Sequence, residues 1–198
     1  HLKVPNVESG VLRVGSRTEI PDDFELAGVG RPTMMLTDRL GPAFWMNSHS
    51  VVDGFHVTGD AAAVFSPYNN SDSSKVSNCT FIGQNQLFLL YNCENAQFVG
   101  NYLHGTGYGV IQQAGYVSNN AIISNNNAIS LFGDFVEANC TGNARSRNWI
   151  ISSNIYDGGG VYPSPQTEDR FVGITGVDNA LVLGNVVKGV AGDACVHL

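Results

Sequence analysis

The sequence predicts an all-β fold, a solenoid of short parallel strands wound into a β-helix. Short runs rich in β-branched and aromatic residues recur along the chain, and each is bounded by Gly, Asn or Ser. No segment shows the periodicity of an amphipathic helix. The 23 Gly and the abundant Asn fit many tight turns, because these residues tolerate positive φ best.

Length, composition and charge limit the possible functions. The 198 residues suffice for one domain with a sizeable core, and a hydrophobic content of 43% excludes a disordered chain. The net charge is −7 and no stretch clusters Lys or Arg, so neither nucleic acid nor an anionic membrane is predicted as a partner. No apolar run approaches the ~20 residues that span a bilayer.

One pattern recurs: an apolar residue, an Asn-like residue three positions later, a second apolar residue two further on, then Gly or Ser. It matches VDGFHVTG from Val52, VSNCTFIG from Val76, FVGNYLHG from Phe98, VSNNAIIS from Val117, ISSNIYDG from Ile151 and VLGNVVKG from Val182. The Asn-like positions are Phe55, Cys79, Asn101, Asn120, Asn154 and Asn185. Their spacing indicates coils of about 22 residues, with insertions in the last two steps.

A second extended run follows the pattern in each coil. These runs are AVFSPY at Ala63, QLFLLYN at Gln86, YGVIQQ at Tyr108, AISLFGD at Ala128, RFVGITG at Arg170 and ACVHL at Ala194. Short strands and turns at a period of this length indicate a solenoid, and the frame of a leucine-rich repeat is absent. A parallel β-helix remains.

Stacked coils place equivalent residues ~4.8 Å apart, so Asn side chains at a corner can bond to their copies above and below. Asn101, Asn120 and Asn154 are predicted to form such a ladder. It should begin at the third coil, because Phe55 and Cys79 depart from Asn. The apolar residues two positions later are predicted to fill the core: Val57, Phe81, Leu103, Ile122, Tyr156 and Val187.

The coil pattern resembles the right-handed, single-stranded parallel β-helix of the pectate-lyase-like superfamily. The segment RTEIPDDFELAGVGRPTMML, Arg17 to Leu36, is similar to the first coil of that group. Bacteriophage tailspike depolymerases are the subgroup the chain resembles most, through its acidic charge and Asn-rich coils. The resemblance implies a homotrimer on the virion tail, or outside the cell, that binds and cuts bacterial capsule or O-antigen.

Outward positions of the coil suggest site residues. The position before the closing Gly reads Thr58, Ile82, His104, Ile123, Asp157 and Lys188. Asp157 is a candidate catalytic carboxylate that could instead pair with Lys188, and His104 is a candidate for substrate binding two coils away. The second strands offer Phe65, Leu89 or Tyr91, Ile111 or Gln113, Phe132 and Thr175. This stripe indicates either a saccharide groove or a subunit interface, and both remain open.

Insertions are predicted near 133–148 and 158–170, where functional loops would stand on a rigid scaffold. Glycoside hydrolysis needs two carboxylates, ~5–5.5 Å apart for retention or ~6.5–9.5 Å for inversion. Asp134 with Glu168 or Asp169 is the best-placed pair, and Glu137 is the reserve. Predicted substrate-binding residues are Tyr91, Gln113, Phe132, His104, Arg147 and Arg170. The four Cys form no metal-binding motif, so free thiols, no metal and no cofactor are predicted.

Three functions follow from these residues. The first is a tailspike-like domain that binds a bacterial polysaccharide and hydrolyses it with paired carboxylates. The second is a non-catalytic glycan-binding or structural fibre. The third is a uronate lyase or epimerase, which a basic groove around His104 and Arg147 would favour. The calcium-binding Asp cluster of pectate lyases and the polygalacturonase-like signature are missing.

The domain organisation predicted is one β-helix over 1–198, with initial coils at 1–46 and repeat coils at 47–198. The chain ends in what reads as a strand, Val196 to Leu198. An uncapped β-helix exposes a pairing edge, so the sequence is predicted to be part of a longer protein.

Overall fold

A computed structural model describes residues 2–3, 10–15, 17–37, 41–59, 61–68, 70–141, 144–158, 170–189 and 195–197. Over these residues the chain is built of short strands and turns without a helix, and the strands pair in parallel. The predicted β-solenoid is confirmed, with about seven turns of roughly 25 residues. Within the described ranges, no helix has the length and apolar character to cross a membrane.

Each turn contributes one strand to each of three eight-stranded sheets. Sheet 1 contains β1 (Leu2–Lys3), β4 (Phe24–Ala27), β7 (Val51–Asp53), β10 (Lys75–Ser77), β14 (Gln97–Val99), β18 (Ile122–Ser124), β22 (Ile150–Ser152) and β26 (Leu181–Leu183). Sheet 2 contains β2 (Val11–Val14), β5 (Thr33–Leu36), β8 (His56–Gly59), β11 (Thr80–Ile82), β15 (Tyr102–His104), β19 (Asn127–Ile129), β23 (Ile155–Asp157) and β27 (Val186–Lys188).

Sheet 3 completes the turn and is followed by a narrow corner. The sheet contains β3 (Thr18–Ile20), β6 (Pro42–Met46), β9 (Ala63–Pro67), β12 (Gln86–Leu90), β16 (Tyr108–Gln112), β20 (Val136–Asn139), β24 (Val172–Thr175) and β28 (Val196–His197). The corner strip, between sheet 3 and the next strand of sheet 1, contains β13 (Cys93–Glu94), β17 (Ser118–Asn119), β21 (Ser146–Arg147) and β25 (Val177–Asp178).

The inward side chains of the sheets stack along the axis into one core. Of the predicted core residues, Val57, Phe81, Leu103 and Tyr156 are fully buried, and Val187 packs against them from the last turn. Rings stack between sheets as well, for example Phe88 on Phe98 with centroids 5.6 Å apart. Burying one such side chain contributes about 1.5–3 kcal/mol, so continuous stacking is the main stabilising term.

A ladder of buried Asn side chains runs along the corner between sheets 1 and 2. The Oδ1 atom of Asn126 accepts hydrogen bonds from the backbone N and the Nδ2 of Asn101, at 2.9 and 3.1 Å. Its Nδ2 donates to the carbonyl of Phe98 at 2.9 Å and to Oδ1 of Asn154 at 3.0 Å. Asn185 repeats these bonds for Asn154. Each amide therefore satisfies backbone groups that would otherwise be buried without a partner.

The ladder starts at the third coil, as predicted. Its first rung is Asn101, whose Oδ1 accepts a hydrogen bond of 3.0 Å from the backbone N of Cys79. Its rungs, however, are Asn101, Asn126, Asn154 and Asn185. Residues bonded across the rungs are separated by 22, 25, 28 and 31 positions. From Cys79 to Asn185 the turns thus lengthen by three residues at each step.

Asn120 belongs to a different column, at the corner between the strip and sheet 1. Residues there adopt the left-handed conformation with φ between 54° and 60°: Asp23, His49, Ser73, Asn95, Asn120, Asn148 and Asn179. Their amides also form a ladder, since Nδ2 of Asn148 donates to Asn120 at 3.0 Å and Nδ2 of Asn179 donates to Asn148 at 3.2 Å. Asn is favoured at this corner because it tolerates positive φ.

The prediction for the fourth repeat was therefore wrong by six residues. Asn120 precedes the true rung, Asn126, by the same interval that separates Asn95 from Asn101. Consequently Ala128, not Ile122, aligns with Leu103 in the core. Ile123, predicted to face outward, is fully buried on sheet 1.

The same shift affects sheet 3. The predicted strand AISLFGD at Ala128 is wrong, since β19 ends at Ile129 and the sheet 3 strand of that turn is β20. Glu137 therefore lies in a regular strand, and Asp134 lies two residues before the start of that strand. Phe65, predicted to face outward, is fully buried and stacks on Phe44 with centroids 5.2 Å apart.

Two cysteines belong to the core. Cys79 and Cys93 are free and buried, and burial raises the pKa of each thiol to about 12. Both stay neutral at physiological pH and act as small apolar packing groups. Cys140 is half-buried and Cys195 is exposed, and both are free.

Replacing Asn126 tests the ladder. Asn126→Ala leaves the buried backbone N of Asn101 unpaired and removes the side-chain bonds to Asn154 and to the Phe98 carbonyl, so we expect it to lower the free energy of unfolding by about 2–5 kcal/mol. Asn126→Asp keeps the shape but turns a donor into an acceptor, and should be at least as damaging. Urea unfolding followed by circular dichroism measures both. The control is exposed Asn139→Ala, expected to cost under about 0.5 kcal/mol; an equally small loss for Asn126→Ala would refute the ladder's role.

Candidate functional site

The outer surface of sheet 3 collects most of the predicted site residues. Register places one outward row along its middle: Glu19, Trp45, Ser66, Leu89, Ile111, Glu137, Gly173 and His197. The row begins with a carboxylate, Glu19, carries its aromatic and larger apolar members in the middle turns, and is polar again at Glu137 and His197. It crosses the successive turns parallel to the solenoid axis.

The middle of this surface is apolar. Ala63, Leu89 and Ile111 form a small cluster that is separate from the main core, and Tyr91 and Tyr108 pack against it. Apolar side chains on the outside of a sheet would cost free energy if water covered them fully, and here the two tyrosines shield them. The cluster therefore holds these rings on the sheet.

Four rings from successive turns lie beside the apolar cluster, and we call them the aromatic row: Trp45, Tyr68, Tyr91 and Tyr116. The centroids of Trp45 and Tyr68 are 4.4 Å apart, those of Tyr68 and Tyr91 are 5.9 Å apart, and those of Tyr91 and Tyr116 are 5.0 Å apart. Tyr68 and Tyr116 are 36% and 37% exposed. The rings support one another by tilted and edge-to-face contacts while leaving part of each to solvent.

Buried polar groups hold the last ring in place. The side chain of Gln112 is buried under the loop that carries Tyr116, and its Nε2 donates to the Tyr116 carbonyl. Oε1 of Gln112 accepts a hydrogen bond from Ser146 at 2.7 Å. The hydrogen bonds of the Gln112 amide therefore hold the loop that carries Tyr116 against the sheet.

Tyr91 has a polar neighbour on the surface. Its hydroxyl donates a long hydrogen bond of 3.5 Å to Oε1 of Gln113. Burial raises the pKa of Tyr91, and Tyr116 and Tyr68 raise it further. The phenol is thus protonated at neutral pH, and Tyr91 and Gln113 present neutral donors and acceptors beside the rings.

The late turns carry a charged cluster. Asp134 is only 1% exposed, and it accepts hydrogen bonds from the backbone N of Arg170 at 2.9 Å and pairs with its Nε at 3.3 Å. Nη1 of Arg170 lies 3.0 Å from Nδ1 of His197. Because a guanidinium can only donate, Nδ1 accepts in this contact and His197 carries its proton on Nε2.

Gly173 makes room for this cluster. A Cβ atom at Gly173 would lie 2.5 Å from Oδ2 of Asp134 and 3.3 Å from Nε of Arg170, so the ion pair occupies the space of the missing side chain. Gly173 stands in register between Glu137 and His197. These two side chains therefore flank the ion pair, with their Cα atoms about two strand spacings, ~9–10 Å, apart.

The structure brings together several of the predicted site residues. Tyr91, Gln113, Asp134, Glu137 and Arg170 lie on the outer surface of sheet 3 or at its edge. Glu137 is half-buried and accepts a hydrogen bond from Nδ2 of Asn139. Phe132 lies half-buried in the turn that leads into the sheet, beside Gly107.

Other predicted site residues lie elsewhere. His104 and Asp157 are on the outer surface of sheet 2, two turns apart as predicted. Arg147 is exposed on the corner strip, in register with Asp178. Asp157 and Lys188 are in register, but no ion pair joins them. The basic groove proposed around His104 and Arg147 is not formed, because the two residues are on different surfaces.

Glu168 and Asp169 lie outside the described residues, so the pairing of either with Asp134 stays a prediction. The structure adds one constraint on it. A catalytic carboxylate must contact the substrate, and Asp134 is buried and bound to Arg170. Its geometry is that of an anchor for Arg170.

Sequence reasoning missed five residues of this surface: Trp45, Tyr68, Tyr116, Gly173 and His197. For Trp45, Tyr68 and Tyr116 the sequence contains a periodic signal. Trp45, Tyr68 and Tyr91 recur once per turn near the end of β6, β9 and β12, and Tyr116 follows after a longer loop. Nothing in the sequence singles out Gly173 or His197, because their importance comes from register with a neighbouring turn.

No family model matches the sequence, and no curated protein matches it. Among solved structures, the chain is similar to the Dettilon tailspike protein, with 12% sequence identity and a TM-score of 0.49. The likeness covers 88% of this chain and 46% of the tailspike chain, so this chain spans less than half the length of that protein. At this identity the likeness concerns the fold alone.

A methyl group at Gly173 tests the packing of the charged cluster. We expect Gly173→Ala to lower the free energy of unfolding by about 1–3 kcal/mol, because the new Cβ would displace the buried Asp134 and Arg170 pair. The matched control is Gly15→Ala, since a Cβ there meets no atom within 4 Å. Thermal and urea unfolding of both variants measure the difference, and equal stabilities would contradict the described packing.

Proposed function

We propose that this chain binds a bacterial surface polysaccharide along the outer surface of sheet 3, as part of a tailspike-like fibre. The aromatic row carries the proposal. The C–H faces of sugar rings pack on aromatic side chains, while neighbouring amides and carboxylates bond to the hydroxyl groups. Gln113 beside Tyr91 supplies such an amide, and Glu137 and Asn139 supply further polar groups on later turns.

The shape of the row fits a polymer. Its rings come from four successive turns and lean towards one another. The centroids of Trp45 and Tyr91 are 6.0 Å apart and those of Tyr91 and Tyr116 are 5.0 Å apart, so the row spans at most about 11 Å. A linear glycan lying parallel to the solenoid axis would contact them in succession. Because the rings are fixed by the sheet, binding orders few side chains and loses little conformational entropy.

A subunit interface is the competing use of an apolar outer surface. The row differs from a simple apolar patch, since three of its four members are tyrosines and the polar side chain of Gln113 lies beside Tyr91. Such an amphipathic surface suits a ligand rich in hydroxyl groups. The tailspike-like interpretation also includes a threefold assembly and a location on the virion tail, which stand as parts of this proposal.

Hydrolysis of the bound glycan is a second proposed activity. It rests on Glu137, a carboxylate of this surface that is half-buried and within the same outward row as Trp45. Glu168 and Asp169 directly precede Arg170 in the chain, so either is a candidate second carboxylate. The uronate lyase alternative has less support, because its basic groove is not formed.

Removing exposed rings should weaken binding. We expect Tyr116→Ala and Trp45→Ala each to weaken binding of O-antigen or capsular polysaccharide about 5- to 30-fold, the loss of about 1–2 kcal/mol of contact. Trp149 is fully buried, so a change in tryptophan fluorescence on adding glycan reports Trp45, the other of the two tryptophans.

Tyr102→Ala is the matched control for ring removal. Tyr102 is as exposed as Tyr68, at 36%, but lies on sheet 2. It should bind as the wild type does in titration calorimetry. Equal losses for Tyr102→Ala and Tyr116→Ala would show that the glycan does not use the aromatic row.

Cleavage requires a separate test. We expect Glu137→Gln to abolish the release of new reducing ends from a bound polysaccharide while keeping affinity within about threefold, because the amide keeps the shape and loses the proton transfer. Asp157→Asn, on sheet 2, serves as the comparison. If Asp157→Asn alone stops cleavage, the reaction takes place on sheet 2. Unsaturated products would indicate a lyase.

A further inference from the structure

We infer that the glycan bound by this chain is neutral, and that acidic polysaccharides are excluded by fixed carboxylates around the aromatic row. The inference rests on the proposed function and adds the class of ligand. It follows from the charges that lie on and beside the outer surface of sheet 3. The net charge of −7 is consistent with it, but the local arrangement carries the argument.

Carboxylates border the aromatic row on the side of the corner strip. Asp72 follows Tyr68 after three intervening residues, and Glu94 follows Tyr91 after two. The two acids are neighbours across the turns, joined by a parallel bridge. A polymer lying on the rings would therefore run beside a line of negative charge.

Amide donors fix these carboxylates in place. Oδ1 of Asp72 accepts hydrogen bonds from Nδ2 of Asn95 at 2.7 Å and from Ser73 at 3.0 Å. Oε1 of Glu94 accepts from Nδ2 of Asn119 at 2.7 Å. Bonds of this kind favour the ionised form, and that from Asn95 is the largest influence lowering the pKa of Asp72. The negative charges therefore cannot turn away from a ligand without losing these bonds.

The described cations lie at the ends of this line of charge. Nε2 of His49 lies 3.7 Å from Oδ2 of Asp72, while Arg145 is paired with Asp178 and Arg170 with Asp134. Arg147 is exposed on the corner strip, two turns beyond Glu94. A uronic or sialic acid residue packed on Tyr68 or Tyr91 would thus meet Asp72 and Glu94 at shorter range than a guanidinium.

A neutral hexose or deoxyhexose chain fits the same groups. Its hydroxyl groups can donate to the carboxylate of Glu137, and its C–H faces can pack on the rings. Like charges at short range are an effective means of rejecting a wrong ligand.

Chemical reduction of polysaccharide carboxyl groups gives a direct test. O-antigen and capsular polysaccharides extracted from a panel of bacterial strains are titrated into the full chain, each as extracted and after carbodiimide and borohydride reduction of its uronic acids to neutral sugars. We expect neutral glycans to bind. A reduced glycan should bind at least tenfold more tightly than its acidic parent. The affinity for neutral glycans should change less than about twofold between low and high salt.

Charge variants refine the result. Glu94→Gln should strengthen binding of an acidic parent about two- to fivefold and leave binding of its reduced form unchanged, because one repulsive charge is removed. Glu25→Gln, on sheet 1, should change neither. Equal effects of the two variants would overturn the assigned role of Glu94.

The outcomes separate this inference from the proposed function. Tight binding of acidic glycans that is lost on reduction would overturn the inference and leave glycan binding intact. Failure of every glycan, in both forms, to bind would overturn the proposed function and the inference together.

Discussion

The buried amides of Asn101, Asn126, Asn154 and Asn185 fix the register on which the rest of the structure depends. Each amide bonds to backbone groups of the preceding turn, at a corner where the strand ladders of sheets 1 and 2 stop. A slip of one residue would move every inward side chain to the outside and leave buried donors and acceptors unpaired. The ladder therefore pairs the buried polar groups and also keeps the apolar side chains in the core. Its loss would affect both.

Fixed register is also what gives the outer surface its chemistry. Trp45, Tyr68 and Tyr91 lie far apart in sequence and come together because strand pairing places the ends of β6, β9 and β12 side by side. Tyr68 and Tyr91 occupy equivalent positions, whereas Trp45 is in register with Ser66. The same reasoning applies to Glu137 and His197, which come to flank Gly173 only through strand pairing. A solenoid thus converts a periodic sequence into linear arrays, a geometry suited to a linear polymer.

Much of the fold was predictable from the sequence, since the strands, the turn residues and most inward positions follow from periodicity. The fourth repeat was not, because two columns of Asn run six residues apart: one contains Asn120 and is left-handed, and the other contains Asn126 and is buried. A local pattern of Asn followed by apolar residues fits both columns. They differ physically in burial and in φ, and neither quantity is visible in one repeat.

The candidate site was predictable only in part, for a similar reason. Tyr91 and Gln113 were found because they lie in or beside strands whose outward positions can be counted. Glu137 and Arg170 were found as charged residues of the predicted insertions. The shift in the fourth repeat made Asp134 look like an exposed loop residue, whereas pairing with Arg170 buries it. Trp45 was missed because it lies in the initial coils, before the first match of the repeat pattern. Tyr116 was missed because the loop between its strand and the ring is longer than in the earlier turns.

The pairing of each strand with its neighbours in adjacent turns bears on how the chain reaches this structure. Every described sheet is ordered by turn, and the residues joined by the inner ladder are 22 to 31 positions apart. Assembly can therefore nucleate in a few consecutive coils and propagate outward, each completed rung serving as the template for the next. In such one-dimensional growth a defective turn prevents the folding of the turns that follow it. Errors would therefore accumulate as partly folded molecules whose last strands have unpaired, aggregation-prone edges.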